Sequence, residues 1–138
     1  NLQASFGFSI PDGTKNDEQL VSIDPEEAIL GLVWNSNSGK LKLSGYANFT
    51  AGSHDNLPPS CGRGGCNPLL ALSGLTAYDL YGSYQITESL KLRFAIRNLS
   101  DESYWNWASV QGKSATDAGL DLFMEPGRNM SMGLKYDF

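Results

Sequence analysis

Hydrophobic and polar residues alternate along several short stretches of this sequence. From Leu2 to Ile10, apolar side chains occupy every second position, and polar or small side chains fill the positions between them. The same period of two recurs in three later stretches and, more weakly, in two others. Because successive side chains of a β-strand point to opposite faces, each stretch is expected to form a strand with one apolar and one polar face. The six predicted strands lie at about 1–10, 27–35, 40–50, 76–87, 90–98 and 129–138.

The links between the predicted strands differ in length. Two are short, Ser36–Gly39 and Thr87–Ser89, and both favour tight hairpins. The other three, at about 11–26, 51–75 and 99–128, are long and rich in Gly, Pro, Asn, Asp and Ser. Outer-membrane β-barrels have short periplasmic turns and long outside loops, whereas compact soluble domains rarely contain several long loops. The sequence therefore predicts an all-β, antiparallel transmembrane barrel with extracellular long loops and a periplasmic C-terminus.

The distribution of charge supports this placement. Most of the 15 acidic residues lie in or beside the long loops. The basic residues of the strands fall at positions that would face the barrel interior: Lys40, Lys42, Lys91, Arg93, Arg97 and Lys135. Lys or Arg on the lipid face would be unfavourable by about 2–4 kcal/mol at the bilayer midplane. A soluble β-sandwich or lipocalin-like barrel, the alternative, would explain the alternation but not the difference in loop length.

The composition argues against several other classes of protein. A formal net charge of −5 does not suit a nucleic acid partner, which requires clustered Lys and Arg. No apolar run approaches the roughly 18 residues of a membrane-spanning helix, but a spanning strand needs only about ten residues of alternating polarity. The sequence contains no Ser-His-Asp arrangement and no acidic metal-binding loop, so neither enzyme activity nor a metal site is expected.

Four motifs occur in a fixed order in the second half of the chain: Asp79–Tyr84, Leu92–Asp101, Glu125–Asn129 and the terminal Phe138. This series resembles the C-terminal signature of TonB-dependent receptors. The resemblance implies the last six strands of a 22-stranded barrel that encloses a plug in the outer membrane. It also implies that the TonB-ExbB-ExbD complex acts through the plug. Six strands are fewer than the roughly eight of the smallest membrane barrels, so we expect partner strands from the rest of the same receptor. The sequence has no initiator Met or leader, and we expect it to be a fragment or a processed chain.

Two further stretches, Tyr104–Gly112 and Asp121–Asn129, are similar to haem/haemoglobin receptors. This similarity implies haem as the transported cargo, with a haem-carrying protein bound at the extracellular loops and no cofactor held by this segment. A receptor for a ferric siderophore or another nutrient and a passive porin-like barrel are the alternatives. Tyr104, Trp105 and Trp107 are interpreted as an aromatic girdle at the membrane interface or as partner contacts, rather than as haem contacts.

The second long loop contains His54, Cys61 and Cys66. His54 is the only histidine and a weak candidate for a haem ligand, because the family's haem-binding histidines are expected outside this segment. Cys61 and Cys66 bracket a glycine-rich tetrapeptide, and an oxidising compartment permits a small disulfide ring between them. A zinc site would need two more ligands, and only His54 is near.

The end of the chain carries two structural predictions. Pro126 and Gly127 predict a bend into the last strand, with one φ fixed and the next free, and Arg128 can hold loop carboxylates or carbonyls. Tyr136 and Phe138 resemble the signal by which the outer-membrane assembly machinery recognises its clients.

Overall fold

The computed structural model of the protein describes residues 1–138 except for residues 16–17, 21, 54–58 and 63–64. In chain order, the elements are β1 (Leu2–Ser9), β2 (Thr14–Lys15), β3 (Glu18–Gln19), β4 (Glu27–Asn35), β5 (Leu41–Thr50), β6 (Ser60–Gly62), β7 (Gly65–Asn67), β8 (Leu75–Gln85), β9 (Leu90–Arg97), α1 (Trp107–Val110), a 3-10 helix (Leu120–Phe123) and β10 (Asn129–Tyr136).

Six of the strands form one antiparallel sheet in the order β1-β4-β5-β8-β9-β10. Strands that follow one another in this sheet are neighbours throughout, so the chain runs up and down without a crossover. Each of the six predicted strands corresponds to one of these strands, and the ends differ by at most two residues. The fold is therefore an all-β antiparallel sheet, as the alternation of polarity predicted.

The two faces of this sheet differ sharply in chemistry. Residues that lie directly opposite one another across strands share a face, and Ala4, Leu32 and Gly45 form one such row. The charged residues of the six strands all lie on the other face: Glu27, Lys42, Asp79, Lys91, Arg93, Arg97 and Lys135. We call these two sides the apolar face and the polar face. Because strand side chains alternate, the sequence pattern alone produces this separation.

The apolar face is uncovered. Leu2, Phe6 and Met132 remain 68%, 68% and 80% exposed. Among the described residues, only Ala77, Trp107 and Val110 form a buried hydrophobic set, and the last two belong to a loop rather than to the sheet. The sheet therefore lacks the second layer that would cover its apolar side in a water-soluble domain.

One close contact on the apolar face joins the neighbouring strands β8 and β9. Gly82 of β8 lies opposite Phe94 of β9, and the Phe94 ring occupies the space where a Cβ of residue 82 would stand. A glycine in a strand weakens it unless a neighbouring side chain fills the gap, and a cross-strand aromatic ring does so. By contrast, nothing lies within 4 Å of a Cβ placed at Gly133.

The long loops contain more regular structure than the sequence predicted. The link at 11–26 holds the β2-β3 hairpin, and the link at 51–75 holds the β6-β7 hairpin. The link at 99–128 holds α1 and the 3-10 helix. These elements are two to four residues long, too short for hydrophobic periodicity to reveal.

Candidate functional site

The third long loop leaves the sheet through a buried asparagine. Asn98 adopts a left-handed φ of 51° and is 4% exposed. Its side-chain Nδ2 donates to the Glu102 carbonyl at 2.8 Å, and its Oδ1 accepts from the Glu102 backbone amide at 3.0 Å. A second, longer bond from Nδ2 reaches the Pro126 carbonyl at 3.4 Å. Asn98 therefore ties the start of the loop to its end.

Asp101 makes the second tie across the same loop. It also has a left-handed φ, 60°, and its Oδ1 accepts from the Arg128 backbone amide at 2.7 Å. The Arg128 guanidinium lies 3.5 Å from Oδ2 of the same carboxylate. Gly127 is not among the described glycines with a positive φ, so a left-handed backbone does not explain the glycine at this position. Gly127 is needed for close approach instead, because a Cβ there would lie 2.9 Å from Asp101 Oδ1. We call Asn98, Asp101, Gly127 and Arg128 the loop clasp.

A polar group on the sheet, the Asp79 carboxylate, anchors the loop clasp to the sheet. Asp79 of β8 accepts the backbone amide of Asn98 at 3.0 Å through Oδ1. Its Oδ2 accepts from Asn48 at 3.5 Å and from the Tyr81 hydroxyl at 3.4 Å. This carboxylate therefore fixes the point at which β9 ends and the loop begins.

The three long loops meet at one end of the sheet. The Ala51 amide donates to the Glu26 carbonyl at 2.8 Å, and the Leu70 amide donates to the Lys113 carbonyl at 2.7 Å. A cleft of about 230 Å³ lies between the loops. Its described lining includes the acidic residues Asp24, Glu27 and Glu102 and the aromatic residues Tyr104, Trp105 and Trp107. No basic residue is among its described lining residues, so the cleft is acidic and aromatic and suits basic or hydroxyl-bearing groups of a partner.

The three aromatic residues predicted to form a girdle occupy different environments. Burial, followed by the carboxylates of Glu125 and Asp79, raises the pKa of Tyr104 above its ordinary value. The ring of Trp105 is half-buried, and its Nε1 donates to the Leu120 carbonyl at 3.0 Å. The interpretation of these two as girdle or partner contacts stays a prediction.

Trp107 departs from the girdle interpretation. It is 6% exposed, and its Nε1 has no hydrogen-bond partner among the described residues. A ring buried within a loop cannot present itself to lipid headgroups, so Trp107 packs the loop interior, where it lies with the fully buried Val110. Asn106 caps the start of α1, since its side chain accepts from the Ala108 backbone amide at 2.9 Å, but this local signal does not show that the Trp107 ring is buried.

The disulfide predicted in the second loop is present. Cys61 and Cys66 are bonded and pair directly across the β6-β7 hairpin. Both residues are exposed, so the disulfide lies at the surface of the loop. His54, the weak candidate for a haem ligand, lies outside the described residues.

Tyr136 is the last residue of β10, and Phe138 follows it by two positions. Both side chains are exposed, and their rings form an edge-to-face pair with centroids 5.0 Å apart. Their predicted role as an assembly signal stays a prediction.

Two kinds of feature are absent from the described part of the chain. None of its helices has the length and apolar character required to cross a membrane. Nor do the described His, Cys, Asp and Glu residues form a group of three or more suited to a metal ion.

Comparison with known proteins places this fold. No protein-family model matches the sequence. Hemoglobin-binding protein A of Haemophilus influenzae is 23% identical over an alignment of 132 positions, and the match covers 85% of this chain and 13% of that protein. The copper transporter OprC matches the whole chain with a TM-score of 0.76 and 21% identity. A variant of the ferric enterobactin receptor PfeA of Pseudomonas aeruginosa, in complex with enterobactin, covers 99% of this chain with a TM-score of 0.68 and 19% identity.

These matches concern a part of longer proteins. The chain spans 13% of the Haemophilus protein, 21% of OprC and 20% of PfeA. The two solved structures are TonB-dependent receptors, plugged outer-membrane barrels that act as transporters or receptors and not as enzymes. The sequence resemblance to TonB-dependent receptors is therefore confirmed at the level of the fold, and the chain has the fold of a segment of their barrel wall.

Proposed function

We propose that this chain is part of the barrel wall of a TonB-dependent outer-membrane receptor, and that the receptor takes up haem from haemoglobin or another haem-carrying protein. The observation that carries the receptor assignment is the match of the whole chain to the OprC barrel at a TM-score of 0.76. The separation of apolar and charged residues onto two faces supports it, because a barrel wall needs a face for hydrocarbon and a face for its interior.

The choice of haem as cargo rests on sequence. The Haemophilus relative is named for haemoglobin binding, and the stretch Tyr104–Gly112 resembles haem/haemoglobin receptors. In this proposal the chain itself holds no cofactor. It supplies wall strands and three surface loops, and the rest of the same receptor supplies the plug and the remaining strands.

The proposed orientation puts the end of the sheet with the three long loops outside the cell and the C-terminus in the periplasm. The cleft between the loops then faces the carrier protein, and its carboxylates suit a basic part of that protein's surface. Tyr136 and Phe138 serve during assembly, and energy reaches the plug from the TonB-ExbB-ExbD complex.

The proposal is tested by removing the disulfide hairpin 59–68 from the complete receptor and measuring haemoglobin binding to whole cells and growth on haemoglobin as sole iron source. Both should fall strongly, while free haemin should still support growth because the transport route is intact. The matched control is an insertion of similar size at the β4-β5 turn, between Asn37 and Ser38, which lies at the opposite end of the sheet. Unchanged haemoglobin binding after the deletion would contradict a carrier-binding role for this loop.

A ferric siderophore is the second candidate cargo, because PfeA is a ferric enterobactin receptor. Growth tests with haemin or with a ferric siderophore as sole iron source separate the two. If growth depends on the receptor only when the ferric siderophore is the iron source, the cargo is the siderophore and not haem.

A further inference from the structure

Three amphipathic aromatic residues lie on the apolar face near the end of the sheet that carries the short turns. They are Trp34 of β4, Tyr84 of β8 and Tyr136 of β10, and they are 40%, 43% and 56% exposed. Each ring is apolar but carries one hydrogen-bonding tip, an indole N–H or a phenol O–H. A fourth residue of this kind on the same face, Tyr78, lies six positions before Tyr84, towards the long loops.

The pairing of β4, β5 and β8 relates the first two of these residues. Trp34 lies directly opposite Leu43 of β5, and Tyr84 lies directly opposite Leu41 of the same strand. Leu41 is two residues closer to the short turn than Leu43. Over the two strand steps from β4 to β8, the position of the aromatic residue therefore moves two residues towards the short turns.

The pairing of β8, β9 and β10 continues in the same direction. Tyr84 lies opposite Leu92 of β9, and Leu92 lies opposite Leu134 of β10. Tyr136 is two residues beyond Leu134, again towards the short turns. Trp34, Tyr84 and Tyr136 therefore lie on one straight line, which advances by one residue for each strand that it crosses. We call it the aromatic line.

The slope of the aromatic line corresponds to a definite strand tilt. A strand rises by about 3.4 Å per residue, and neighbouring strands lie about 4.8 Å apart. An advance of one residue per strand therefore has a tangent of about 0.7, which is an angle of about 35° from the perpendicular to the strands. The strands of outer-membrane barrels tilt by about 35–45° from the membrane normal. A line parallel to the membrane surface crosses such tilted strands at this slope.

The rest of the receptor does not cover the side chains of the aromatic line. In the proposed function, it adds strands beside the two edge strands, β1 and β10, and it fills the barrel interior on the polar face. Neither addition lies over the apolar face, which points out of the barrel. Trp and Tyr favour the depth at which hydrocarbon meets lipid headgroups, because the ring prefers hydrocarbon and the polar tip bonds to water or headgroups.

We propose that the aromatic line lies in the headgroup region of the lipid leaflet next to the short turns, and that the strands cross the membrane at a tilt of about 35°. This inference rests on the proposed function for the barrel wall and is independent of the cargo. In the proposed orientation, the leaflet is the periplasmic one. Tyr104 and Trp105 belong to a long loop at the opposite end of the sheet, so the aromatic line is separate from the girdle predicted there.

The tilt makes the depth in the membrane differ between residues of one row. Leu43 and Met132 belong to the same row, which runs between them through Gly82 and Phe94. They are three strands apart, so Met132 should lie about 8 Å deeper in the hydrocarbon than Leu43. Leu43 and Leu92 belong to different rows, but each lies one residue inside the aromatic line. Both should therefore lie at the same depth, about 3 Å from the headgroups.

The test measures these depths with nitroxide labels in the complete receptor, reconstituted in phospholipid bilayers. One cysteine at a time is introduced by Leu43→Cys, Leu92→Cys or Met132→Cys and labelled without reductant, so that the Cys61–Cys66 bond stays closed. The ratio of accessibility to oxygen, which concentrates in hydrocarbon, and to a water-soluble nickel chelate reports the depth of each label. Leu43 and Met132 are matched controls for each other, because they share a row but not a predicted depth.

The proposal predicts equal depths at Leu43 and Leu92 and a depth about 8 Å greater at Met132. Equal depths at Leu43 and Met132, with Leu92 about 7 Å closer to the headgroups, would show that the strands are not tilted and would overturn it. A label near the bilayer centre at Leu43 would also overturn it, because the aromatic line would then lie in hydrocarbon.

Failure of this proposal is distinguishable from failure of the proposed function. If none of the three labels is accessible to oxygen in the bilayer, the sheet is not a barrel wall and both proposals are wrong. If the receptor supports growth on haem but the depths do not follow the aromatic line, only the present proposal is refuted. If the depths follow the line but growth on haem does not depend on the receptor, haem is refuted as cargo and the aromatic line stands.

Discussion

Substitution of Asn98 probes how the third loop is fixed to the sheet. In Asn98→Ala, two short hydrogen bonds to Glu102 are lost, each with a net contribution of about 0.5–1.5 kcal/mol. The left-handed φ of 51° adds a cost of about 1–2 kcal/mol for a residue with a Cβ and no local side-chain bond. The sum is a local destabilisation of about 2–5 kcal/mol. Asn98→Gly loses the same bonds but tolerates the backbone, so its cost should be about 1–3 kcal/mol.

Hydrogen–deuterium exchange of the Glu102 amide measures this directly, because that amide donates to Asn98. In the complete receptor, exchange should become at least about 30-fold faster in Asn98→Ala and at least about fivefold faster in Asn98→Gly. Ser100→Ala is the matched control, since its hydroxyl makes one long contact of 3.5 Å with Asn98, and it should exchange like the wild type. If the Glu102 amide exchanged at the wild-type rate in both Asn98 variants, the proposed role of Asn98 in the loop clasp would be refuted. If exchange were accelerated equally in the two variants, the left-handed φ would contribute nothing to the effect.

Three further predictions concern other parts of the chain. In urea unfolding, Gly82→Ala should destabilise the sheet by about 1–3 kcal/mol, because the added Cβ displaces the ring of Phe94. Gly133→Ala is the control and should be neutral or slightly stabilising, because the space around residue 133 is open. The pKa of Tyr104 in the folded protein lies above its ordinary value, so the stabilisation by its neutral hydroxyl is complete below pH 10 and is lost as pH rises through the raised pKa. Protection of the loop from protease should therefore fall in that alkaline range, and Tyr104→Phe should abolish this pH dependence. Reduction of the Cys61–Cys66 bond should cost about 2 kcal/mol locally and expose the hairpin to protease without affecting the sheet.

Each of these has a result that would contradict it. Equal stability of the two glycine variants would mean that the ring does not fill the gap at residue 82. A wild-type alkaline profile in Tyr104→Phe would assign the pH dependence to another group. Unchanged protease resistance after reduction would mean that hydrogen bonds alone hold the hairpin.

The strands were predictable from the sequence because their signal is local. In β5, for example, the alternation from Leu41 to Thr50 indicates which side chains share a face. The register with β4 then aligns apolar residues with apolar residues across the two strands. Asn98 and Asp101 also carried a local signal, since both residue types tolerate left-handed backbone and bond nearby amides.

The interior of the loops was not predictable in the same way. The burial of Trp107 and the bond between Leu70 and Lys113 depend on contacts between segments far apart in the chain. A Tyr-Trp-Asn-Trp stretch is typical both of an interface girdle and of a packed loop, and the sequence does not separate the two. The close approach of the Asp101 carboxylate to Gly127 was also not predictable, because it brings together residues that are far apart in the chain.

The central claim is that the apolar face of the sheet lies against lipid. Spin labels placed one at a time from Ala28 to Asn35 in the complete receptor, reconstituted in bilayers, report the accessibility of each position to dissolved oxygen, which concentrates in hydrocarbon. We expect maxima at Ala28, Leu30, Leu32 and Trp34 and minima at the residues between them. Maxima at Ile29, Gly31 and Val33, or no period of two, would contradict a barrel wall built from this sheet.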